Sequence, residues 1–105
     1  MNATLYLPYQ LPQAVSVDGL SLPDPVTGLA RVSEQVPVLM GCARGLVDVL
    51  ASGPGYVAYS VFDCEGPVNE AAMTAVAEMS GVGFDLADED AVLCGPVLVV
   101  RQESS

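Results

Sequence analysis

Histidine, lysine and isoleucine are all absent from this 105-residue chain, and only three arginines stand against thirteen acids. Without histidine the commonest general base and metal ligand is missing. Without lysine there is no Schiff-base chemistry and no phosphate-loop lysine. Serine-hydrolase and cysteine-protease arrangements need a base beside the nucleophile, and the usual histidine is not there to serve. Three cations neutralise few phosphates, which argues against direct binding of DNA or RNA. The same shortage argues against a polybasic membrane anchor. Arg31, Arg44 and Arg101 could each clamp one carboxylate or phosphate, but an isolated arginine more often pairs with a surface acid. The expectation is a protein that is not an enzyme and takes no cofactor.

Long apolar runs are lacking too. The longest, Val36 to Leu50, is interrupted by Pro37, Gly41, Arg44, Gly45 and Asp48, whereas a membrane span needs about 20 mostly uncharged residues. The first eight residues carry neither a basic start nor a continuous apolar stretch, so they do not read as a signal peptide. Cys42, Cys64 and Cys94 form an odd set with no Cys-x-x-Cys. That pattern points to reduced thiols in the cytoplasm, best read as small apolar side chains.

What is present is apolar and acidic. Hydrophobic residues make up 51% of the chain, mean hydropathy is +0.46, and the formal net charge is −10 with a pI near 4.1. This apolar content opposes global disorder, and the length suits one domain, residues 1–105, with a modest core. Free use of valine, alanine and glycine without isoleucine or lysine is the bias of GC-rich genomes, bacterial or phage.

Thr4–Leu7 and Ala14–Val17 read as short strands separated by Pro8 and Pro12. Asp18 to Gly28 is a loop of turn residues. From Ser33 onward two readings compete. Ser33 can cap a helix in which Leu39, Cys42, Leu46, Val49 and Leu50 fall at helical spacing, with Ser52-Gly53-Pro54 as its stop. Alternatively Leu46–Leu50 is a strand, joined through the loop 51–55 to the next one. Periodicity alone does not choose between one helix and a helix plus strand over 36–52.

The second half is plainer. Gly55–Phe62, aromatic and β-branched, reads as a strand, and 63–67 as a turn. Asn69 caps a helix to about Met79, with Ala72, Ala75, Val76 and Met79 on one face and Glu70, Thr74 and Glu78 on the other. Gly81 and Gly83 end it. Residues 85–90 read as an acidic loop, and Ala91–Leu93 as the start of an extended segment that Gly95 interrupts. Pro96–Val100 is a closing strand whose continuous apolar run predicts burial on both faces. The predicted class is α+β: one mixed or antiparallel sheet with one or two helices, close to a split β-α-β-β-α-β arrangement if Leu46–Leu50 is a strand.

Carboxylates are the chemistry that remains. Asp85, Asp88, Glu89 and Asp90 are clustered oxygen donors of the type Mg²⁺ and Ca²⁺ use, but their spacing is not that of a calcium loop. A solvated loop between two elements is the simpler reading, and a glycosidase pair is weaker still in so acidic a chain. Distribution says more. Residues 1–62 hold four acids and two arginines, net −2, and residues 63–105 hold nine acids and one arginine, net −8. Such a field attracts and steers basic partners; the competing explanation is that acids keep an apolar small protein soluble.

In size and charge the chain resembles small acidic inhibitors that imitate DNA, a likeness that carries over no functional residue. It implies a phage or mobile-element inhibitor, of the anti-CRISPR or anti-restriction type, that blocks a basic nucleic-acid-binding surface of a host protein. From the charge distribution, Asp85, Asp88, Glu89, Asp90, Glu70 and Glu78 are the expected partner-binding residues, acting as phosphate surrogates. The alternatives are a structural or assembly protein that self-associates through apolar surface, as a homodimer, or a weak divalent-metal-binding protein.

Overall fold

The computed structural model describes residues 1–24, 26–61, 68–81 and 93–102. Among these residues five strands and two α-helices follow one another as β1 (Asn2–Tyr6), β2 (Gln13–Val15), α1 (Gln35–Met40), β3 (Val47–Gly53), β4 (Tyr56–Val61), α2 (Glu70–Ser80) and β5 (Val97–Arg101). The class is α+β. The strands form one sheet in the order β2-β1-β5-β4-β3, with every neighbouring pair antiparallel.

β5 is the middle strand, and its sequence explains why. Val97, Leu98, Val99 and Val100 are all 2% exposed or less. Successive residues of a strand point to opposite faces, so such a run needs cover on both. On one face, Leu98 and Val100 pack with Ala3, Leu5, Val57 and Tyr59 under Val36 and Met40 of α1 and Leu20 of the 16–33 loop. On the other, Val97 and Val99 pack with Ala58 under Ala72, Met73 and Val76 of α2. The two helices therefore lie on opposite faces. The Tyr59 hydroxyl donates to the Arg31 carbonyl at 2.5 Å, tying the loop down, and burial pushes the phenol above its ordinary pKa.

Two points of the sequence reading are decided by the fold, each with a physical cause. First, over 36–52 the helix-plus-strand reading holds and the single helix does not. α1 stops at Gly41, whose φ of 69° allows a left-handed cap with Cys42 N–H donating to the Pro37 carbonyl at 3.1 Å. A single 3₁₀ turn, Arg44–Leu46, then delivers the chain into β3. Ser33 does not cap through its side chain: Val36 N–H binds its carbonyl, and its hydroxyl is buried without a partner.

Second, the element succession matches a split β-α-β-β-α-β order with β2 added, but the strand placement does not. β5 lies between β1 and β4, antiparallel to both. The connection through α2 thus returns to the neighbouring antiparallel strand rather than skipping one to reach a parallel one. Burial drives this: the most apolar strand takes the central place, and the half-polar β2 and β3 take the edges.

The β3–β4 hairpin closes in two residues, not the five expected, since Gly53 already pairs with Tyr56. Pro54 presets the first turn position and Gly55, at φ 79°, supplies the second. Gly53 has its own reason to be glycine. A Cβ there would stand 2.5 Å from Tyr56 Cε1, because the ring lies over the bare backbone.

Candidate partner-binding surface

α2 carries two of the six predicted binding residues, Glu70 and Glu78, and Asn69 sets where α2 sits. Asn69 is 1% exposed, a position a polar residue holds only if its hydrogen bonds are made. Its Oδ1 accepts from Ala72 N–H at 3.2 Å, the expected cap. Its Nδ2 donates to the carbonyls of Tyr6 at 3.0 Å and Gly95 at 2.8 Å, and its backbone N–H donates to Leu93 at 2.8 Å. One amide therefore joins the start of α2 to the end of β1 and to the approach to β5. The cap was readable from sequence. The two donations were not, because they span 63 and 26 residues.

With that end fixed, Ala72, Met73 and Val76 face the sheet, and Glu70, Ala71, Thr74 and Glu78 are exposed. Glu70 and Glu78 stand about 12 Å apart along the axis and about 80° apart around it, from the helical rise and turn. That length covers three to four phosphates of one strand at roughly 3.4 Å each. The two acids differ in their surroundings. Glu78 lines a shallow depression of about 370 Å³ together with Arg101, the lone cation of the second half, which offsets its field. Glu70 lies at the other end of the helix, beside Leu7, Tyr9, Gln10 and Leu11.

Asp85, Asp88, Glu89 and Asp90 lie outside the described residues, as do Asp63, Glu65 and Cys64. Among the described residues, no group of three metal-ligating side chains lies close enough to hold an ion. Cys42 and Cys94 are half-buried rather than sealed in the core. The remaining described acids, Asp18, Asp24, Glu34 and Asp48, are exposed on other elements. Asp24 is used locally: its carboxylate accepts from Val26 and Thr27 N–H at 2.7 and 3.1 Å, and those bonds lower its pKa.

Compared with protein-family models, curated proteins and solved structures, the chain finds no match. Residue chemistry and geometry therefore carry the functional argument. Among the described residues no helix is long and apolar enough to cross a membrane. Sequence reasoning passed over the apolar side chains left in water: Tyr9, Leu11, Val26, Leu29 and Val38 are all at least 70% exposed. Composition predicts that some such surface exists, but only folding shows which residues form it.

Proposed function

We propose that this protein is a non-catalytic binding module of the cytoplasm whose acidic second half docks on a basic surface of a partner protein, of the kind that otherwise holds nucleic acid. The observation that carries the reading is the charge asymmetry, −8 in the last 43 residues against −2 in the first 62, with Glu70 and Glu78 on the solvent face of α2. Carboxylates on an ordered helix can stand in for phosphates towards arginine and lysine, and their field speeds encounter. Asp85, Asp88, Glu89 and Asp90 extend the same acidic stretch in sequence. An inhibitor carried by a phage or mobile element, of the anti-CRISPR or anti-restriction type, is the biological role that such a surface would suit.

A second reading has its own support. Five large apolar side chains at least 70% exposed are the contact surface an assembly protein or homodimer would use. Capture of partners from bacterial lysate at rising salt separates the two. Retention of nucleic-acid-binding proteins that fades with salt, and that is lost on reversing Asp88, Glu89 and Asp90 to lysine, supports the acidic surface. Capture that ignores both salt and the reversal transfers the role to the apolar surface.

A further inference from the structure

The β1–β2 connection holds an aromatic ring in water at a position where its backbone would rather have glycine. Gln10 N–H donates to the Leu7 carbonyl at 3.2 Å, so Leu7 to Gln10 make a β-turn with Pro8 and Tyr9 at its centre. Tyr9 has φ 60°, and it is the one non-glycine residue of positive φ among those described. A turn of this type takes glycine or asparagine there. Tyr9 is nevertheless tyrosine, 90% exposed, and Leu11 beside it is 85% exposed. A strained backbone that holds an aromatic ring in water is a pointer to function.

The tip does not stand alone. Tyr9 and Leu11 form one side of an open groove of about 430 Å³ whose other side is Val68, Asn69, Glu70 and Ala71. The Asn69 bond to the Tyr6 carbonyl holds the two sides together, so the groove is present before anything binds. Its charge is of one sign. Residues 1–30 contain no lysine or arginine. Arg101 opposes Asn2 in the sheet, at the far end of β1 from Tyr6 and roughly 13 Å away at strand rise. Arg31 is tied by its carbonyl to Tyr59, on the face of the sheet that α2 does not cover.

We propose that the Tyr9–Leu11 tip and the first turn of α2 form one recognition groove for a partner-protein segment that presents an aliphatic side chain next to an arginine. The aliphatic group fills the apolar groove, while the guanidinium lies over the Tyr9 ring and reaches the Glu70 carboxylate. A second copy of the chain fits poorly, since it would bring Glu70 and a net charge of −10 against their like. The inference rests on the reading of a basic partner, and it places the anchoring contact on residues other than the acidic stretch 85–90.

The test is an amide chemical-shift titration of the full chain with N-acetyl-arginyl-leucinamide, with the norleucyl-leucinamide and glutamyl-leucinamide analogues as comparisons. Shifts centred on Tyr9, Leu11 and Ala71 are expected, with the arginyl peptide binding about two- to fivefold more tightly than the norleucyl one. Tyr9→Gly relieves the backbone, so its melting temperature should hold or rise while binding weakens about two- to fivefold. Glu70→Gln should bring the arginyl peptide close to the norleucyl one. Equal binding of the glutamyl peptide, full binding by Tyr9→Gly, or shifts confined to the Glu78 end of α2 would each overturn the groove. The last outcome leaves the acidic-surface reading standing. Failure of lysate capture to depend on charge, with the groove titration intact, sinks that reading alone.

Discussion

Replacing Asn69 by alanine removes three side-chain hydrogen bonds at a site that is 1% exposed. Loss of the helix cap costs about 1 kcal/mol. The Gly95 carbonyl is left buried without this donor, at about 1–3 kcal/mol, and the part-buried Tyr6 carbonyl adds about 1 kcal/mol. The sum is about 3–5 kcal/mol, a large share of the 5–15 kcal/mol that typically holds a domain together. Urea unfolding followed by circular dichroism at 222 nm reads this directly. With a slope of about 1–1.5 kcal/mol per molar for a chain of this size, the midpoint should fall by roughly 2–5 M, which would leave the variant largely unfolded without urea if the parent lies at the low end of that stability range. Asn69→Asp separates the roles, since its carboxylate keeps the acceptor for Ala72 N–H but turns two donations into repulsions. Asn69→Asp should therefore be no better than Asn69→Ala at pH 7. It should recover as the pH falls, because repulsion raises the folded pKa and stability is lost as the pH rises through it. If Asn69→Ala costs less than about 1 kcal/mol, or Asn69→Asp matches the parent at pH 7, Asn69 is a helix cap and no more.

Gly53→Ala should destabilise the hairpin by about 1–3 kcal/mol, since the new Cβ meets the Tyr56 ring at 2.5 Å; in a Tyr56→Ala background most of that cost should vanish on the same urea curve. Burial raises the Tyr59 pKa, so the folded state holds this proton more tightly than the unfolded chain does. Stability is then complete below pH 10 and falls as the pH rises through the folded value. The alkaline drop in melting temperature should be smaller in Tyr59→Phe, which also loses about 1 kcal/mol with the bond to Arg31. The Asp24 carboxyl, held by Val26 and Thr27 N–H, should titrate below the ordinary aspartate value by carbon-detected NMR. Leu98→Ala, at the centre of the sheet, should cost about 2–5 kcal/mol by thermal denaturation.

How much of this was written in the sequence varies by element. α2 was legible at both ends, because Asn69 and Gly81 are local signals and its apolar face has one period; Met73 belongs to that face and was passed over. The two-faced burial of β5 was legible because an unbroken run of valine and leucine has no polar side to give to water. The 36–52 segment was ambiguous, since Leu46–Leu50 suits either period. It was decided by Gly41, which ends α1, and by β4, which offers β3 a partner. The strand order was not legible at all. It is a competition among strands for the centre, and a split arrangement and the observed one share the same element succession. For the site, Glu70 and Glu78 were correctly assigned to the solvent face of α2, but the proximity of Arg101 to Glu78 is a tertiary fact. Tyr9 carried no signal, because Pro8 announces a turn without saying which residue must strain to make it.

The central claim is that the acidic second half is what a partner reads, and capture from lysate across a salt series with matched charge variants tests it most directly. The parent should lose about tenfold or more of its bound nucleic-acid-binding protein between 50 and 200 mM salt. Reversal of Asp88, Glu89 and Asp90, or of Glu70 and Glu78, to lysine should reduce capture at low salt to the level of a bare matrix. Capture that stays level across the salt series, and that survives both reversals, would contradict the account.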